Sequence, residues 1–113
     1  MSLVKEYFEL TTKYKCVYGE NTILLMQVGS FFEVYGLISS TPNMYSGSKI
    51  NDFSRMCDLN IVEKNTCVGK DSVVMAGFKD NQIEKYIKKM QEFGFTAEEI
   101  ETAVEQKAVF KFV

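Results

Sequence analysis

Apolar residues recur with helical spacing near the start of the chain. Val4, Tyr7, Phe8 and Thr11 fall at positions i, i+3, i+4 and i+7, with charged residues between them. Residues at this spacing share one face of an α-helix, which can then pack on a core. The pattern predicts an amphipathic first helix that ends near Gly19.

A second segment has the same period over a shorter length. Ile50, Phe53 and Cys57 share one face of a second predicted helix. Ser48 is the candidate N-cap of this helix, because a serine hydroxyl can accept a hydrogen bond from the first turn.

The third predicted helix has the longest apolar stripe. Asp80 is its candidate N-cap, and Gly94 is the residue expected to follow its last turn. The stripe consists of Ile83, Tyr86, Ile87, Met90 and Phe93.

Short apolar runs bounded by turn residues predict strands at residues 22–28, 59–62 and 72–78. The polar stretches at residues 36–48 and 63–71 contain glycines and several hydroxyl or amide side chains, and they predict loops.

The last part of the chain, residues 95–113, allows two interpretations. It could form strands at residues 102–105 and 108–113, or a helical turn at residues 97–102, and the sequence does not decide between them.

Helices that alternate with strands over 113 residues predict one domain, residues 1–113, of the α/β class. Its expected architecture is a central mixed β-sheet flanked by α-helices, with the strand order left open. Hydrophobic residues make up 46% of the chain, which is enough to fill such a core and excludes a disordered chain.

Composition also limits the chemistry. The chain has no histidine, and its three cysteines show no C-x-x-C spacing, which argues against a transition-metal cluster and a histidine-based catalytic couple. The three cysteines are expected to be reduced, buried thiols in an intracellular compartment. A formal net charge of −2 gives no general attraction to DNA, so any contact with a polyanion must use a local patch.

One stretch, Gly29-Ser30-Phe31-Phe32-Glu33, combines a glycine turn with two aromatic rings and an acid. In an extended chain Phe31 and Glu33 point to the same face, and Phe32 to the other. A buried Glu33 would need a partner, and an exposed Phe31 would be a candidate for contact with another molecule. The alternative is a strand with core aromatics and an acid at its rim.

An enzymatic alternative is the sequence Glu105-Gln106-Lys107. An E-x-K sequence is half of a metal-dependent nuclease site, in which the carboxylate holds magnesium and the lysine positions water. A second acid on a neighbouring strand would be required, and the sequence does not identify one. A solvated strand end is the simpler interpretation.

Three further blocks stand in order along the chain. They are residues 6–34, EYFELTTKYKCVYGENTILLMQVGSFFEV, then Met75-Ala76-Gly77, then Glu105-Gln106. Together they resemble the N-terminal mismatch-recognition domain (domain I) of MutS mismatch-repair proteins, whose motifs are L-L-F-F-x-x-G-D-F-Y-E near the start, then M-A-G, then E-Q. Ser30 replaces the usual aspartate, Phe32 the usual tyrosine, and Phe78-Lys79 the usual I/V-P.

The resemblance implies a function and two site residues. Phe31 matches the phenylalanine that enters the minor groove and stacks on a mispaired base, and Glu33 matches the glutamate that hydrogen-bonds that base. Gly29 and Ser30 would shape the turn before them. The expected partner is double-stranded DNA with mismatches or small loops. The rival interpretation is a protein-interaction module of the same fold, in which Phe31 contacts a protein.

The resemblance also implies a larger parent protein, of which the chain would be an excised domain or a fragment. The domain would need no cofactor and would not itself be an enzyme, whereas ATP and Mg would be bound by the parent, which would also form the dimer. No segment approaches the length of apolar sequence that a membrane helix needs, so no membrane contact is expected. We expect an intracellular protein, cytoplasmic if bacterial, with an organellar, nuclear or viral origin left open.

Overall fold

The computed structural model describes residues 3–39, 44–100 and 108–113. Within these residues the chain forms three α-helices, a single 3₁₀ turn and seven strands. In chain order they are α1 (Leu3–Tyr18), β1 (Ile23–Val28), β2 (Phe31–Ile38), β3 (Tyr45–Ser46), α2 (Ile50–Cys57), β4 (Val62–Val68), β5 (Asp71–Lys79), the 3₁₀ turn (Asp80–Gln82), α3 (Ile83–Glu92), β6 (Ala97–Ile100) and β7 (Val109–Phe112).

The strands form one sheet in the order β4-β5-β2-β1-β7-β6, and the short β3 pairs with the far end of β2. The predicted α/β class, with one central sheet flanked by helices, is confirmed. The prediction allowed a mixed sheet, with both parallel and antiparallel strands. Every strand pairing among the described residues is antiparallel. This order makes β1 and β2 the centre of the sheet and β4 an edge.

The helices cover both faces of the sheet. The ring of Tyr7 in α1 packs edge-on against that of Tyr35 in β2, with 5.2 Å between centroids. Phe32 packs instead against Phe78, and Phe78 stacks on Tyr86 of α3 at 4.1 Å. Phe32 and Tyr35 point to opposite faces of β2, because successive strand residues alternate. Helix α1 therefore lies on one face and α3 on the other.

The core lies between these layers and is richest around β1 and β2. Both strands are buried over most of their length, as central strands of a covered sheet are. The largest fully buried side chains are Tyr7, Tyr35, Phe53, Phe112, Leu24, Leu25, Met26, Ile50, Met90, Val34, Val73 and Val109. Helix α1 is confirmed as predicted, and so is the buried face of α2 with Ile50, Phe53 and Cys57.

The structure corrects the prediction for the region after α2. The strand predicted at residues 59–62 and the loop predicted at residues 63–71 are wrong, because the chain forms β4 over Val62–Val68. Most side chains of this edge strand are exposed, so it has no apolar run or alternation to reveal it. The loop predicted at residues 36–48 is also too long, because β2 continues to Ile38 and β3 occupies Tyr45–Ser46.

Both predicted N-caps are wrong. Lys49, not Ser48, is the N-cap residue of α2, and its side chain makes no capping hydrogen bond. The Ser48 hydroxyl donates a hydrogen bond to the Tyr35 carbonyl oxygen instead. Asp80 begins the 3₁₀ turn that precedes α3, and its backbone N–H donates to the Ser30 carbonyl oxygen at 2.8 Å. A tertiary hydrogen bond therefore takes the Ser48 hydroxyl that local capping would have used, whereas Asp80 lies one turn before α3.

The end of α3 follows the prediction only in part. Gly94 has φ of 96° and its N–H donates to the Gln91 carbonyl oxygen, while the Phe95 N–H donates to that of Met90. These two bonds form the Schellman motif expected of a glycine after a helix. Phe93, predicted to belong to the apolar stripe, is 57% exposed and does not lie in the core.

The alternatives for the last part of the chain are now decided where the structure describes them. The helical turn at residues 97–102 is wrong, because β6 occupies Ala97–Ile100. The strand predicted at residues 108–113 is confirmed as β7. The strand predicted at residues 102–105 lies outside the described residues. Among the helices that the structure describes, none is long and apolar enough to cross a membrane.

Candidate functional site

The candidate site begins at the hairpin that joins β1 to β2. Val28 and Phe31 are cross-strand partners, so Gly29 and Ser30 form a two-residue turn. Gly29 has φ of 60°, a value that glycine adopts without strain at the first central position of such a turn. The Ser30 carbonyl oxygen accepts the backbone hydrogen bond from Asp80, which ties the tip of the hairpin to the end of β5. The turn is therefore held by a neighbouring strand.

Phe31 is the first residue of β2 and is 44% exposed. It lies between Val28 on β1 and Lys79 on β5 in the strand pairings. A phenylalanine ring that keeps nearly half of its surface in water contributes little to the core. Its position at the anchored end of the hairpin presents an apolar ring on a fixed backbone.

Glu33 lies two residues further along β2 and is only 4% exposed. Its Oε1 atom accepts hydrogen bonds from the Tyr35 hydroxyl at 2.5 Å and from Lys64 Nζ at 3.1 Å. A buried carboxylate requires such donors to offset the loss of its hydration. Residues 31, 33 and 35 share one face of β2 because side chains of a strand alternate, so the ring and the acid are neighbours on the same side of the sheet.

Tyr35 is the inner donor to this carboxylate. Its side chain is buried, and burial, followed by the hydrogen bond to Glu33, raises the pKa of Tyr35 above its ordinary value. The hydroxyl therefore stays protonated and remains a donor at neutral pH. The edge-on contact with Tyr7 fixes the Tyr35 ring from the α1 side.

Gly77 makes room for Glu33. The two residues are directly opposite each other in the pairing of β2 with β5. A Cβ atom on Gly77 would lie 2.5 Å from the Phe32 carbonyl oxygen and 3.1 Å from Glu33 Cγ. The glycine of the Met75-Ala76-Gly77 block is therefore required mainly by the close approach of the β2 backbone, and less strictly by the Glu33 side chain. The sequence analysis matched this block to a family motif without connecting it to Glu33. The available signal was a glycine inside an apolar strand, which often marks the close approach of another part of the backbone.

Two lysines lie near the Phe31 ring and the Glu33 carboxylate. Lys64 reaches Glu33 from the edge strand β4, and 33% of its side chain is exposed. Lys79 is exposed and lies opposite Phe31 in the strand pairing. Sequence analysis did not identify either residue as part of the site, because neither lies near Glu33 along the chain.

A cavity of about 580 Å³ lies elsewhere, between α2 and the end of α3. Arg55, Met56 and Phe93 are among its lining residues, and so is Ile23 at the start of β1. Phe31 lies beside the other end of β1. Five residue steps along a strand cover roughly 17 Å, so the cavity is separate from the hairpin site. Glu105 and Lys107, the candidate nuclease pair, lie outside the described residues.

Comparison with known protein families identifies the domain. A family model described as MutS domain I matches residues 2–113, nearly the whole chain, so the chain belongs to this family. Domains of this family are the mismatch-recognition domains of MutS-type proteins. The domain itself binds DNA in mismatch repair and is not catalytic. A search of curated proteins gave no significant match, and neither did a search of solved structures.

Proposed function

We propose that this domain recognises mispaired or unpaired bases in double-stranded DNA, with Phe31 as a wedge in the minor groove and Glu33 as the hydrogen-bond acceptor for the displaced base. The observation that carries the proposal is the exposed Phe31 ring on an anchored hairpin, on the same sheet face as the carboxylate of Glu33. Gly29 and Ser30 contribute the turn that brings the ring to the end of the sheet.

The wedge selects DNA by its ease of deformation. Inserting a ring between base pairs requires unstacking that costs a few kcal/mol. The cost is lower where the pair is already broken, so the same ring is accepted more readily at a mismatch. A ring on a held turn is suited to this task, because less of the binding free energy is lost in ordering the protein.

Glu33 can accept a base donor while keeping its present contacts. A carboxylate offers about four acceptor positions on its two oxygens, and the contacts with Tyr35 and Lys64 both end on Oε1. An intact pair offers Glu33 no free donor, so the part of its negative charge that Lys64 does not balance then lies in the field of the phosphates. Glu33 would thereby disfavour perfect duplex as well as favour a mismatch.

We further propose that the domain acts within a larger MutS-type repair ATPase, inside the cell. In that setting ATP and Mg, and the contacts that form a dimer, belong to other parts of the parent protein. The formal net charge of −2 supports such an arrangement, because the 113-residue chain alone has little general attraction for DNA. Its own binding should therefore be weak and sensitive to salt.

The test is a titration of the ¹⁵N-labelled chain with two short duplexes that differ only in one mispair. Amide chemical shifts detect weak binding, so the measurement does not require a stable complex. We expect the mispaired duplex to bind more tightly at low salt and to shift the amides around Gly29, Ser30 and Phe31. Equal affinity for the two duplexes, or shifts confined to another surface, would contradict the proposal and favour the protein-interaction rival.

A further inference from the structure

We propose that Lys64 sets the specificity of this site by neutralising Glu33, so that it limits how strongly the domain rejects a perfect duplex. The inference rests on the proposed function, since it concerns the discrimination between mispaired and intact DNA. It gives a role to an edge strand, β4, that neither the sequence pattern nor the family motifs indicated.

Lys64 and Glu33 form an ion pair in which the negative partner is buried. Lys64 Nζ lies 3.1 Å from Glu33 Oε1, and the exposed fractions of the two side chains are 33% and 5%. The ammonium also lies 5.5 Å from the centroid of the Tyr35 ring, and the Tyr35 hydroxyl donates its hydrogen bond to the same carboxylate. The carboxylate is therefore buried on this face of the sheet, whereas the lysine that pairs with it is partly exposed to solvent.

The pair differs from an ordinary surface salt bridge because the carboxylate has little contact with water. Exposed pairs contribute little, since water screens them. Here the carboxylate is little screened by water, so removing the lysine charge makes the charge of Glu33 felt more strongly by whatever lies against the sheet face. Tyr35 would still donate its hydrogen bond, but a neutral hydroxyl leaves the charge in place.

The consequence for DNA depends on the state of the base pair. Against an intact duplex, Glu33 without Lys64 is an unmasked negative charge near the phosphates and meets no base donor. Against a mispair, the displaced base supplies a donor that offsets part of this penalty. Removing Lys64 should therefore weaken binding to both duplexes, and weaken binding to the perfect duplex more.

The test measures the ratio of the two dissociation constants, perfect over mispaired, for the chain and its variants. Lys64→Gln removes the charge, while its amide can still donate to Glu33 and so protects the fold. We expect the ratio to rise about fivefold, the effect of one partly screened charge. Lys79→Gln removes the same charge opposite Phe31 and should weaken both complexes by the same factor, which leaves the ratio unchanged.

Two further variants separate charge masking from a structural role. Lys64→Arg keeps the charge and should retain the wild-type ratio, so a changed ratio overturns the proposal even if Lys64→Gln does not fold. In the Glu33→Gln background there is no charge to mask, and Lys64→Gln should then lower both affinities equally.

The outcomes distinguish this inference from the function on which it rests. A wild-type ratio of one contradicts the proposed function itself. A wild-type ratio above one that Lys64→Gln leaves unchanged contradicts only the role of Lys64.

Discussion

Gly77 and Glu33 lie directly opposite each other on neighbouring strands, and the absence of a side chain at Gly77 leaves the space that the buried glutamate occupies. A Cβ atom at Gly77 would meet the backbone oxygen of Phe32 at 2.5 Å. Backbone atoms of a central strand cannot move aside cheaply, since their hydrogen bonds hold them in the sheet. The β2 backbone therefore sets the main requirement for glycine at position 77, and the Glu33 side chain adds a second, looser contact.

Gly77→Ala should destabilise the domain by about 1–3 kcal/mol, the usual cost of adding a methyl group to a packed site. Urea unfolding followed by circular dichroism measures this change. Gly69→Ala is the control, because Gly69 has φ of 63° but no atom within 4 Å of the added methyl. It should cost about 1 kcal/mol from backbone strain alone. A Gly77→Ala protein as stable as wild type would contradict the close approach.

Glu33→Gln should raise the affinity for perfect duplex, because it removes a negative charge from the sheet face and leaves Lys64 free to attract phosphates. Affinity for the mispaired duplex should change less, since the base loses a charged acceptor at the same time. The two affinities are compared by fluorescence anisotropy on the same pair of duplexes. A fall in affinity for perfect duplex would remove the repulsion argument.

The three cysteines should differ sharply in reactivity. Cys16 and Cys67 are exposed, so the prediction of buried thiols is wrong for these two, whereas Cys57 is buried, with its Sγ 3.7 Å from Met90 Sδ. Burial also raises the pKa of Cys57 to about 11, so little of the reactive thiolate is present at neutral pH.

Titration of the folded protein with a chromogenic disulfide should therefore show two fast thiols and one that is slower by at least about a hundredfold. Urea should make all three equivalent. Cys57→Ala should remove the slow phase only. Three fast thiols in the native protein would show that the α2–α3 contact is not formed.

Lys111 should make stability fall at alkaline pH. Its Nζ donates to the Tyr18 hydroxyl at 2.7 Å, and this hydrogen bond is the main cause that raises the pKa of Lys111 above its usual value. A raised lysine pKa stabilises the fold below the unfolded value, about 10.4. The contribution is lost as pH rises through the higher folded value.

The measurement compares the free energy of unfolding of wild type and Lys111→Met below and above that range. Wild type should lose more stability than the variant, because buried tyrosines and Cys57 contribute equally to both proteins. Parallel losses in the two proteins would contradict a stabilising role for the charged lysine.

Local patterns in the sequence were sufficient for the elements that bury one regular face. The spacing of Tyr7 and Thr11 predicted α1, and that of Phe53 and Cys57 predicted α2, because one helical face must meet the core in each. The alternation across Phe31, Phe32 and Glu33 correctly placed the two rings on opposite faces of the strand, since side-chain direction in a strand depends on its period of two. It did not decide which ring is exposed, because Glu33 shares the face of Phe31 and is buried.

The predictions that were wrong or missing concern features that depend on contacts between residues distant in sequence. Strand β4 has mostly exposed side chains and exists because it pairs with β5, which no local pattern records. Ser48 was a reasonable cap by residue type, yet its hydroxyl bonds to Tyr35, thirteen residues away. The partner of Glu33 lies 31 residues away on that same unpredicted strand. The need for a partner was predictable from burial, but the identity of Lys64 was not.

The wedge role of Phe31 is the central claim, and one comparison tests it most directly. Phe31→Ala should leave the melting temperature close to wild type, because the ring is 44% exposed, and should abolish the preference for mispaired over perfect duplex. Phe93→Ala is the matched control: this ring is 57% exposed and lines the separate cavity, so the preference should persist. The measurement is the ratio of the two dissociation constants for wild type and both variants. A ratio that falls to one for Phe31→Ala alone is the predicted result, and an unchanged ratio for a folded Phe31→Ala protein would contradict the account.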